Sequence, residues 1–400
     1  MVLAGISLAI WMGLAFFRGG FWQLRLFDDD GASAFAPLAP WPRVTAVLPA
    51  RNEAETIGRS VESLLSQDYP GEFRMIVVDD HSEDETVSHA EHAARVCRAE
   101  HRIRILPAQP LPPGWTGKLW ALEHGVESAT GDFPEYFWFT DADITHAPDT
   151  LRRLVSRAES EHLDLTSLMV LLQSKTVPER LLIPAFLYFF LKLYPPRWIA
   201  ASKARTAGAA GGCILLRREA LQGIGGFSAI RHEVIDDCSL ARAVKRSGGT
   251  LWMGLTRKSV SLRAYDTFRE IRDLIARTAF TQLRYSSWAL LGTVLGMFLT
   301  YLAPVGLFFA GDPRVWRMSL AAWALMIVTY LPTIRFYGLS PLWAPLLPLA
   351  AAFYSYATCL SAARYWLGQG GQWKGRRQAP RNCNLEHTAT DNAQNRSIAP

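Results

Sequence analysis

The sequence predicts an α/β protein. A Rossmann-like domain with a mainly parallel sheet is expected, held at a membrane by one N-terminal and two to three C-terminal transmembrane helices. Three observations predict it. Residues 43–150 alternate short β-branched runs with helical patterns, as βαβ units do. Acidic residues collect just after the strand ends, where ligands bind in open α/β sheets. The longest uncharged runs lie at the two ends of the chain.

The elements follow in order. Val44-Thr-Ala-Val-Leu is an apolar strand ending at Pro49, and Ile57, Val61, Leu64 and Leu65 mark one helical face that stops near Tyr69-Pro70-Gly71. Phe73 to Val78 is a second strand, ending on Asp79-Asp80. A helix from about Glu85 to Ala99 leads to a third strand, Ile103-Arg-Ile-Leu. Trp120 to Ala129 reads as helix, and Tyr136-Phe-Trp-Phe-Thr as a fourth strand ending on Asp141-Ala-Asp143. Gly208-Ala-Ala-Gly-Gly-Cys213 precedes an apolar strand, Ile214-Leu-Leu. Its small residues permit either a tight turn or close approach of backbone to a ligand. Asp236-Asp237 opens a further helix, where acidic side chains favour the helix dipole.

Of the 400 residues, 50% are apolar and 20% charged. That apolar content excludes a disordered chain. The charge is unevenly placed. Residues 18–284 hold 33 Lys/Arg and 33 Asp/Glu, whereas residues 288–400 hold 9 and 3, which accounts for the whole formal +6. A neutral folded region argues against a nucleic-acid binder, which needs a basic face. The five cysteines are scattered without a C-x-x-C pair. A disulfide scaffold or zinc ribbon is therefore not expected, and a reducing compartment fits.

Met1 to Phe17 carries no charge. It lacks the basic start and small-residue cleavage site of a signal peptide, so an uncleaved anchor is expected. Trp288–Gly311, Met318–Ile334 and Phe336–Ala363 are uncharged runs of 24, 17 and 28 residues. Tryptophan and tyrosine sit near several of their ends, as interfacial aromatics do. The shorter run Leu181–Leu191 is either an interfacial helix or a buried one. Arg18 and Arg25 favour a cytoplasmic middle region, and Lys374-Gly-Arg-Arg with Arg381 favours a cytoplasmic tail. One anchor plus three C-terminal spans would separate the two. Either one run does not span or the charge rule fails at one end. The proline-interrupted last run is the first suspect for a re-entrant segment. The expected organisation is an anchor over 1–25, a soluble domain over 40–280, a transmembrane region over 286–366 and a basic, disordered tail over 367–400.

The sheet-end carboxylates carry the chemistry. Residues i and i+2 of a strand share a side, so an extended Asp141-Ala-Asp143 could turn both carboxylates to one cation. Hard divalent ions such as Mg²⁺ or Mn²⁺ take oxygen ligands, often one or two carboxylates plus substrate phosphates.

Pro49-Ala-Arg-Asn-Glu53, Val-Val-Asp79-Asp80, Gly117-Lys118, Asp141-Ala-Asp143 and Ile235-Asp-Asp237-Cys-Ser-Leu together resemble the inverting family 2 glycosyltransferases of GT-A fold. The likeness extends over roughly residues 40–380. It is nearer to the membrane-bound, ceramide-glucosyltransferase-like branch, and within it to the hopene-associated glycosyltransferases found with hopanoid-synthesis genes. The resemblance implies an enzyme that moves a sugar from a nucleotide sugar, a UDP-sugar first, to a hydroxyl of a membrane lipid such as a hopanoid or another glycolipid precursor. It implies that Pro49, Ala50, Arg51, Asn52, Glu53, Asp79 and Asp80 hold the nucleotide. Lys118 would reach its base or diphosphate, and Asp141 and Asp143 would hold the metal. By the same resemblance Asp237 is the general base beside Asp236, with Asp in place of the usual Glu at 236. Thr281-Gln-Leu-Arg284-Tyr285 stands where many relatives carry Gln-x-x-Arg-Trp, which would put Arg284 on the departing diphosphate; an amphipathic juxtamembrane helix with Arg272, Arg277 and Arg284 at lipid phosphates is the equal alternative. The implied location is the inner, cytoplasmic membrane, multi-pass, with the catalytic domain in the cytoplasm. Two rival functions are a processive polysaccharide synthase and a catalytically inactive membrane lipid-binding scaffold.

Overall fold

In a computed structural model the parallel strands anticipated from the first half of the chain form one end of an eight-stranded sheet. The structure describes residues 1–24, 26–27, 38–129, 131 and 133–368, with the backbone of 372–373 and 376–377. Most of the expected tail over 367–400 therefore lies outside the described residues, as do Arg25, Lys374 and Arg381.

The first helix, α1 (Val2–Phe17), precedes the α/β domain. The domain then runs β1 (Val44–Ala50), α2 (Ile57–Leu65), β2 (Phe73–Asp79), α3 (Thr86–Val96), β3 (Ile103–Pro107), α4 (Gly117–Ser128) and β4 (Tyr136–Phe139). It continues through β5 (Ile144–His146), α5 (Thr150–Ser160), β6 (Leu165–Leu171), α6 (Val177–Leu193) and α7 (Pro196–Ala200). It closes with β7 (Ile214–Arg217), α8 (Arg218–Gly223), α9 (Asp236–Arg246) and β8 (Leu251–Ser261). Sheet order is β3-β2-β1-β4-β7-β6-β8-β5. β3, β2, β1 and β4 pair in parallel, whereas β7 runs antiparallel to both β4 and β6. β6 and β8, which the sequence reading did not mark, complete the far half with β5.

Every residue of β1 is buried, as expected of a strand covered on both faces. Its side chains alternate between two cores. Val47 joins Leu119 and Leu122 of α4 on one face, while Ala46 and Leu48 join Ile57 and Val61 of α2 on the other. α4 lies unusually close: a Cβ at Gly125 would stand 2.4 Å from Val47 Cγ1.

The remaining helices form the apolar end. α10 (Phe268–Gln282) leads to α11 (Ser287–Met297), a π-helical turn (Phe298–Leu302), α12 (Ala303–Phe308), α13 (Pro313–Phe336) and α14 (Leu347–Trp366). Ser287–Phe308, Pro313–Phe336 and Pro341–Trp366 are each long and apolar enough to cross a membrane; α1 is shorter. Pro304 explains the π turn, because it has no N–H to give the Thr300 carbonyl one turn back. α1 supplies the missing donors. Trp11 Nε1 donates to Thr300 O (2.6 Å) and Ser7 Oγ to Leu299 O (2.7 Å). Such groups have no water to turn to within hydrocarbon, so α1 is a working member of the helix bundle. α6 resolves to the buried alternative, with Leu182, Ile183, Leu187, Tyr188 and Leu191 all inaccessible.

α14 runs beside α10 for much of its length. Phe353 meets Phe268 (5.9 Å between rings), Ser361 Oγ accepts the Phe280 N–H (3.1 Å), and Arg364 pairs with Asp273 (2.7 Å). Tyr354 also donates to Leu182 O of α6 (3.0 Å). Before the chain reaches α14, Arg257 of β8 donates to the carbonyls of Phe336 and Arg335 at the close of α13 (2.9 and 3.1 Å).

Candidate active site

A pocket of about 180 Å³ opens at the carboxyl ends of β1 and β4. Its wall is built from segments far apart in the chain: the loop after β1, the first turn of α4, the turn after β4, the first turn of α9, the strap after β8 and Arg277 of α10.

The loop after β1 is pinned from below. Asn52 takes φ 49°, a left-handed conformation that Asn tolerates better than most residues. Its Oδ1 accepts the Glu83 N–H (2.9 Å), and Glu53 N–H donates to Thr86 Oγ1 (2.8 Å). Pro49, Arg51 and Glu53 thereby face the pocket, while Ala50 is fully buried in the strand. Asp80 is buried beneath this loop, its N–H on Ala50 O (2.8 Å) and its carbonyl accepting from Arg51. Asp79 accepts the Ser82 N–H (3.3 Å). Among the residues expected to hold the nucleotide, Pro49, Arg51, Glu53, Lys118 and Asp141 line the pocket, and Ala50, Asn52, Asp79 and Asp80 support the loop behind it.

Lys118 stands in the first turn of α4. Its Nζ lies 2.8 Å from Asp141 Oδ1 and 3.0 Å from Asp236 Oδ2, joining the end of β4 to the start of α9. Burial alone would favour the neutral amine, but the Asp141 and Asp236 carboxylates outweigh it and hold the ammonium charged well above the usual lysine range. For Asp141 burial dominates and pushes its pKa up, partly countered by Lys118.

Asp141 and Asp143 do not share one side of an extended strand. β4 ends at Phe139, and the chain turns so that Ile144 N–H donates to Asp141 O (3.2 Å). Asp141 faces Lys118 while Asp143 faces Arg263, whose Nε donates to Asp143 Oδ2 (3.1 Å). Both still border the same pocket. The turn is braced from beneath. The Thr140 hydroxyl donates to Gly212 O (2.9 Å), so its oxygen is left to accept from His146 Nε2 (2.9 Å). His146 Nδ1 then accepts from the Ser259 hydroxyl (2.9 Å). Burial pushes the His146 pKa down to about 3, so this bracket is neutral.

Asp236 and Asp237 open α9 as expected. Asp237 borders a smaller recess beside the pocket, together with Phe139, Gly211 and Phe227. Its Oδ2 accepts the Gly211 N–H (3.0 Å) and its Oδ1 the Cys238 N–H (2.6 Å). Burial, then the neighbouring Asp236 charge, pushes its pKa up to about 6. Packing accounts for two of the small residues in the stretch before β7: a Cβ at Gly208 would lie 3.0 Å from the Tyr194 ring and one at Gly212 3.0 Å from Val170 Cγ2, whereas Gly211 has ordinary room beside Lys118 and Asp237.

Arg284 is not brought to the pocket. It is exposed in the turn after α10, at φ 53°. Arg277, on α10, lines the wall instead. Sequence reasoning misses Arg263 and Tyr265 because they follow β8, whose polar residues interrupt its apolar pattern. The signal was the apolar run Leu251-Trp-Met-Gly-Leu leading to Arg263.

Residues 45–225 match the family model described as Glycosyl transferase family 2. The chain is 31% identical over 121 residues to the beta-monoglucosyldiacylglycerol synthase of Synechocystis sp., covering 30% of this chain and 24% of that protein. It is 26% identical over 193 residues to an N-acetylglucosaminyltransferase of Mesorhizobium japonicum, covering 46% and 41%. It thus spans less than half the length of these relatives. Among solved structures, the mannosyltransferase PcManGT of Pyrobaculum calidifontis, in complex with GDP-Man and Mn²⁺, superposes with a TM-score of 0.53 at 18% identity, over 88% of this chain and 99% of that one. That likeness is one of fold. Mostly parallel strands feeding a carboxylate-lined pocket and the matched family model agree: residues 45–225 are a glycosyltransferase family 2 domain, and the fold that carries it is GT-A.

Proposed function

We propose that the protein transfers a sugar from a nucleotide sugar, a UDP-sugar, to a hydroxyl of a membrane lipid, in one displacement that inverts the anomeric carbon. One observation carries this reading. Lys118, Asp141, Asp143, Asp236 and Asp237 converge at the strand ends, and Arg277, on a helix packed along α14, completes the wall. A donor pocket so close to apolar helices suits a half-buried acceptor. The beta-monoglucosyldiacylglycerol synthase among the relatives supports a lipid acceptor. The resemblance to hopene-associated enzymes makes a hopanoid hydroxyl the first acceptor to test.

The donor set fits a divalent cation that arrives with the nucleotide. Asp141 and Asp143 border the pocket at the end of β4, and among the described residues no group of three His, Cys, Asp or Glu side chains forms a complete cage. Mg²⁺ commonly takes one or two carboxylates and draws its other ligands from phosphate and water. Asp143 and Asp141 would hold Mg²⁺ or Mn²⁺, which when bound offsets charge on the departing diphosphate. Pro49, Arg51 and Glu53 bind and orient the nucleotide. Lys118 keeps Asp141 and Asp236 in place beneath it. Asp237, fixed by two backbone N–H groups, takes the proton from the acceptor hydroxyl as the new glycosidic bond forms.

The same reading sets the topology. The domain over 40–280 faces the cytoplasm of the inner membrane, where nucleotide sugars are made, between the anchor over 1–25 and the membrane region over 286–366. α14 lies along α10 at the membrane surface instead of crossing. Three crossings then put the basic tail beside the domain, as its charge asks.

The test is lipid profiling of cells with and without the gene, followed by assay of the purified full-length protein with UDP-sugars and extracted lipids. A single glycosylated lipid is expected. Elongating products would instead reveal a polysaccharide synthase, and tight nucleotide binding without turnover a scaffold.

A further inference from the structure

Arg263 holds together two acidic segments that come from opposite parts of the domain. Its Nη2 donates to Glu53 Oε1 and Oε2 (2.7 and 2.9 Å), and its Nε donates to Asp143 Oδ2 (3.1 Å). Glu53 belongs to the loop after β1 and Asp143 to the turn after β4, so one guanidinium spans the pocket mouth.

The backbone beneath it is fixed at both ends. Leu262 N–H donates to Asp143 O (2.7 Å). Two residues beyond Arg263, Tyr265 N–H donates to Glu179 Oε1 (2.8 Å). Glu179 is fully buried and its Oε2 also accepts the N–H groups of Lys175 and Thr176 (2.8 and 3.1 Å). The strap is thus anchored on both sides of Arg263, whose side chain keeps 34% of its surface exposed and so has room to turn.

We propose that Arg263 is a latch: an internal counter-cation that competes with a divalent cation for Asp143 and passes to a phosphate oxygen of the donor when cation and nucleotide bind. This rests on the reading of Asp143 as the metal ligand given above. Asp143 Oδ2 cannot serve a guanidinium and a divalent ion fully at once. A guanidinium displaced from Asp143 is matched in shape and charge to a phosphate. The latch therefore weakens binding of the cation alone and strengthens binding of the nucleotide once the cation is in place. Cation and nucleotide become coupled, and by linkage each strengthens the other.

The coupling gives Arg263→Gln two effects of opposite sign, which a merely structural residue would not produce. The experiment uses the full-length protein in detergent. Free Mn²⁺ is followed by electron paramagnetic resonance without nucleotide, and UDP binding by calorimetry at saturating Mn²⁺. Arg263→Gln should bind Mn²⁺ alone severalfold more tightly. It should bind UDP about tenfold more weakly, the loss typical of one charge-assisted hydrogen bond. If Arg263→Gln does not fold, Arg263→Lys takes its place, keeping stem and charge but not the fork, with the same signs expected at smaller size. Mn²⁺ affinity that is unchanged or weaker in the variant that folds, or UDP affinity that is unchanged, overturns the latch. Asp143→Asn separates the two readings. If it leaves Mn²⁺ binding intact, the metal assignment itself is wrong. If it abolishes that binding while Arg263→Gln fails to strengthen it, only the latch falls.

Discussion

The Lys118 ammonium rests 2.8 Å from the Asp141 carboxylate and holds Asp236 on its other side at 3.0 Å. One cation thus neutralises two acids that belong to different halves of the pocket. Replacing it with an uncharged side chain of similar length leaves both acids facing one another. Lys118→Met should lower stability by about 1–3 kcal/mol, below the 3–5 kcal/mol of a fully buried pair because the acids keep some solvent access. Asp141, already held above the ordinary range by burial, loses the group that lowers it. The protonated acid is then the favoured form, so the deficit should shrink as pH falls from 7 to 5. Thermal melts of wild type and variant at the two pH values check this, and a deficit that grows with acidity would contradict it.

Asp237 should set the acid limb of activity. Its folded-state pKa of about 6 lies above the ordinary carboxyl value, first through burial and then through Asp236. A base must be ionised to work, so kcat/KM should fall below about pH 6. The sign for stability is the reverse: a raised carboxyl favours folding when protonated, so its contribution fades as pH rises from 4 to 6. Asp236→Asn removes the like charge and should move the limb to lower pH. Asp237→Asn should cut acceptor-dependent kcat by roughly 10²–10⁴-fold with donor affinity nearly intact. If Asp236→Asn is the more damaging, Asp236 is the base.

The sequence made β1, β2 and β4 legible because they are mostly buried and read as largely apolar, β-branched or aromatic runs: Val44 to Leu48 is interrupted only by Thr45, and Phe73 to Val78 only by the exposed Arg74. β6 and β8 carry Thr, Ser, Arg and Lys among their apolar residues, which blurs the pattern, and the residues that β8 positions were lost with it. Asp141, Asp143, Asp236 and Asp237 could be picked out because acids at strand ends and helix starts are conspicuous. Arg263 could not, since its role depends on meeting Glu53 from 210 residues away in the chain. Arg284 failed to reach the pocket for a local reason: α10 ends two residues before it, at Gln282, and the chain turns outward there.

Gly125 should be intolerant of any side chain. A Cβ would stand 2.4 Å from Val47 Cγ1 and 3.2 Å from Val78 Cγ2, so α4 would have to lift from the sheet. Helix propensity favours Ala over Gly by about 1 kcal/mol, yet overpacking of a core typically costs about 1–3 kcal/mol. Gly125→Ala should therefore be destabilising overall. The helix that shifts also carries Lys118, so nucleotide affinity should fall with stability. Calorimetric melting and UDP titration test both, and a variant more stable than wild type would refute the packing argument.

The last prediction concerns α14. By length and composition it can cross a membrane, as can Ser287–Phe308 and Pro313–Phe336. Its neighbours argue otherwise. α10, which it follows side by side, bears Arg269, Glu270, Arg272, Asp273 and Arg277, and placing those charges in hydrocarbon would cost several kcal/mol each. Arg364, near the end of α14, pairs with Asp273 of that helix at 2.7 Å. The start of α14 follows α13, whose last carbonyls are held by Arg257 of the sheet. The close of α13, from which the chain leads into α14, is thus held to the sheet, and the far end of α14 is held to the charged helix α10, so α14 is expected to end on the side where it begins. Cysteines introduced singly at Ser88, Ala310 and Leu367, in a background without reactive native cysteines, give the readout. An impermeant maleimide applied to intact cells should label only Ala310→Cys, in the turn between α12 and α13. Ser88→Cys and Leu367→Cys should react only after the inner membrane is opened. Labelling of Leu367→Cys in intact cells, with Ser88→Cys protected, would mean that α14 crosses and that the basic tail lies on the far side.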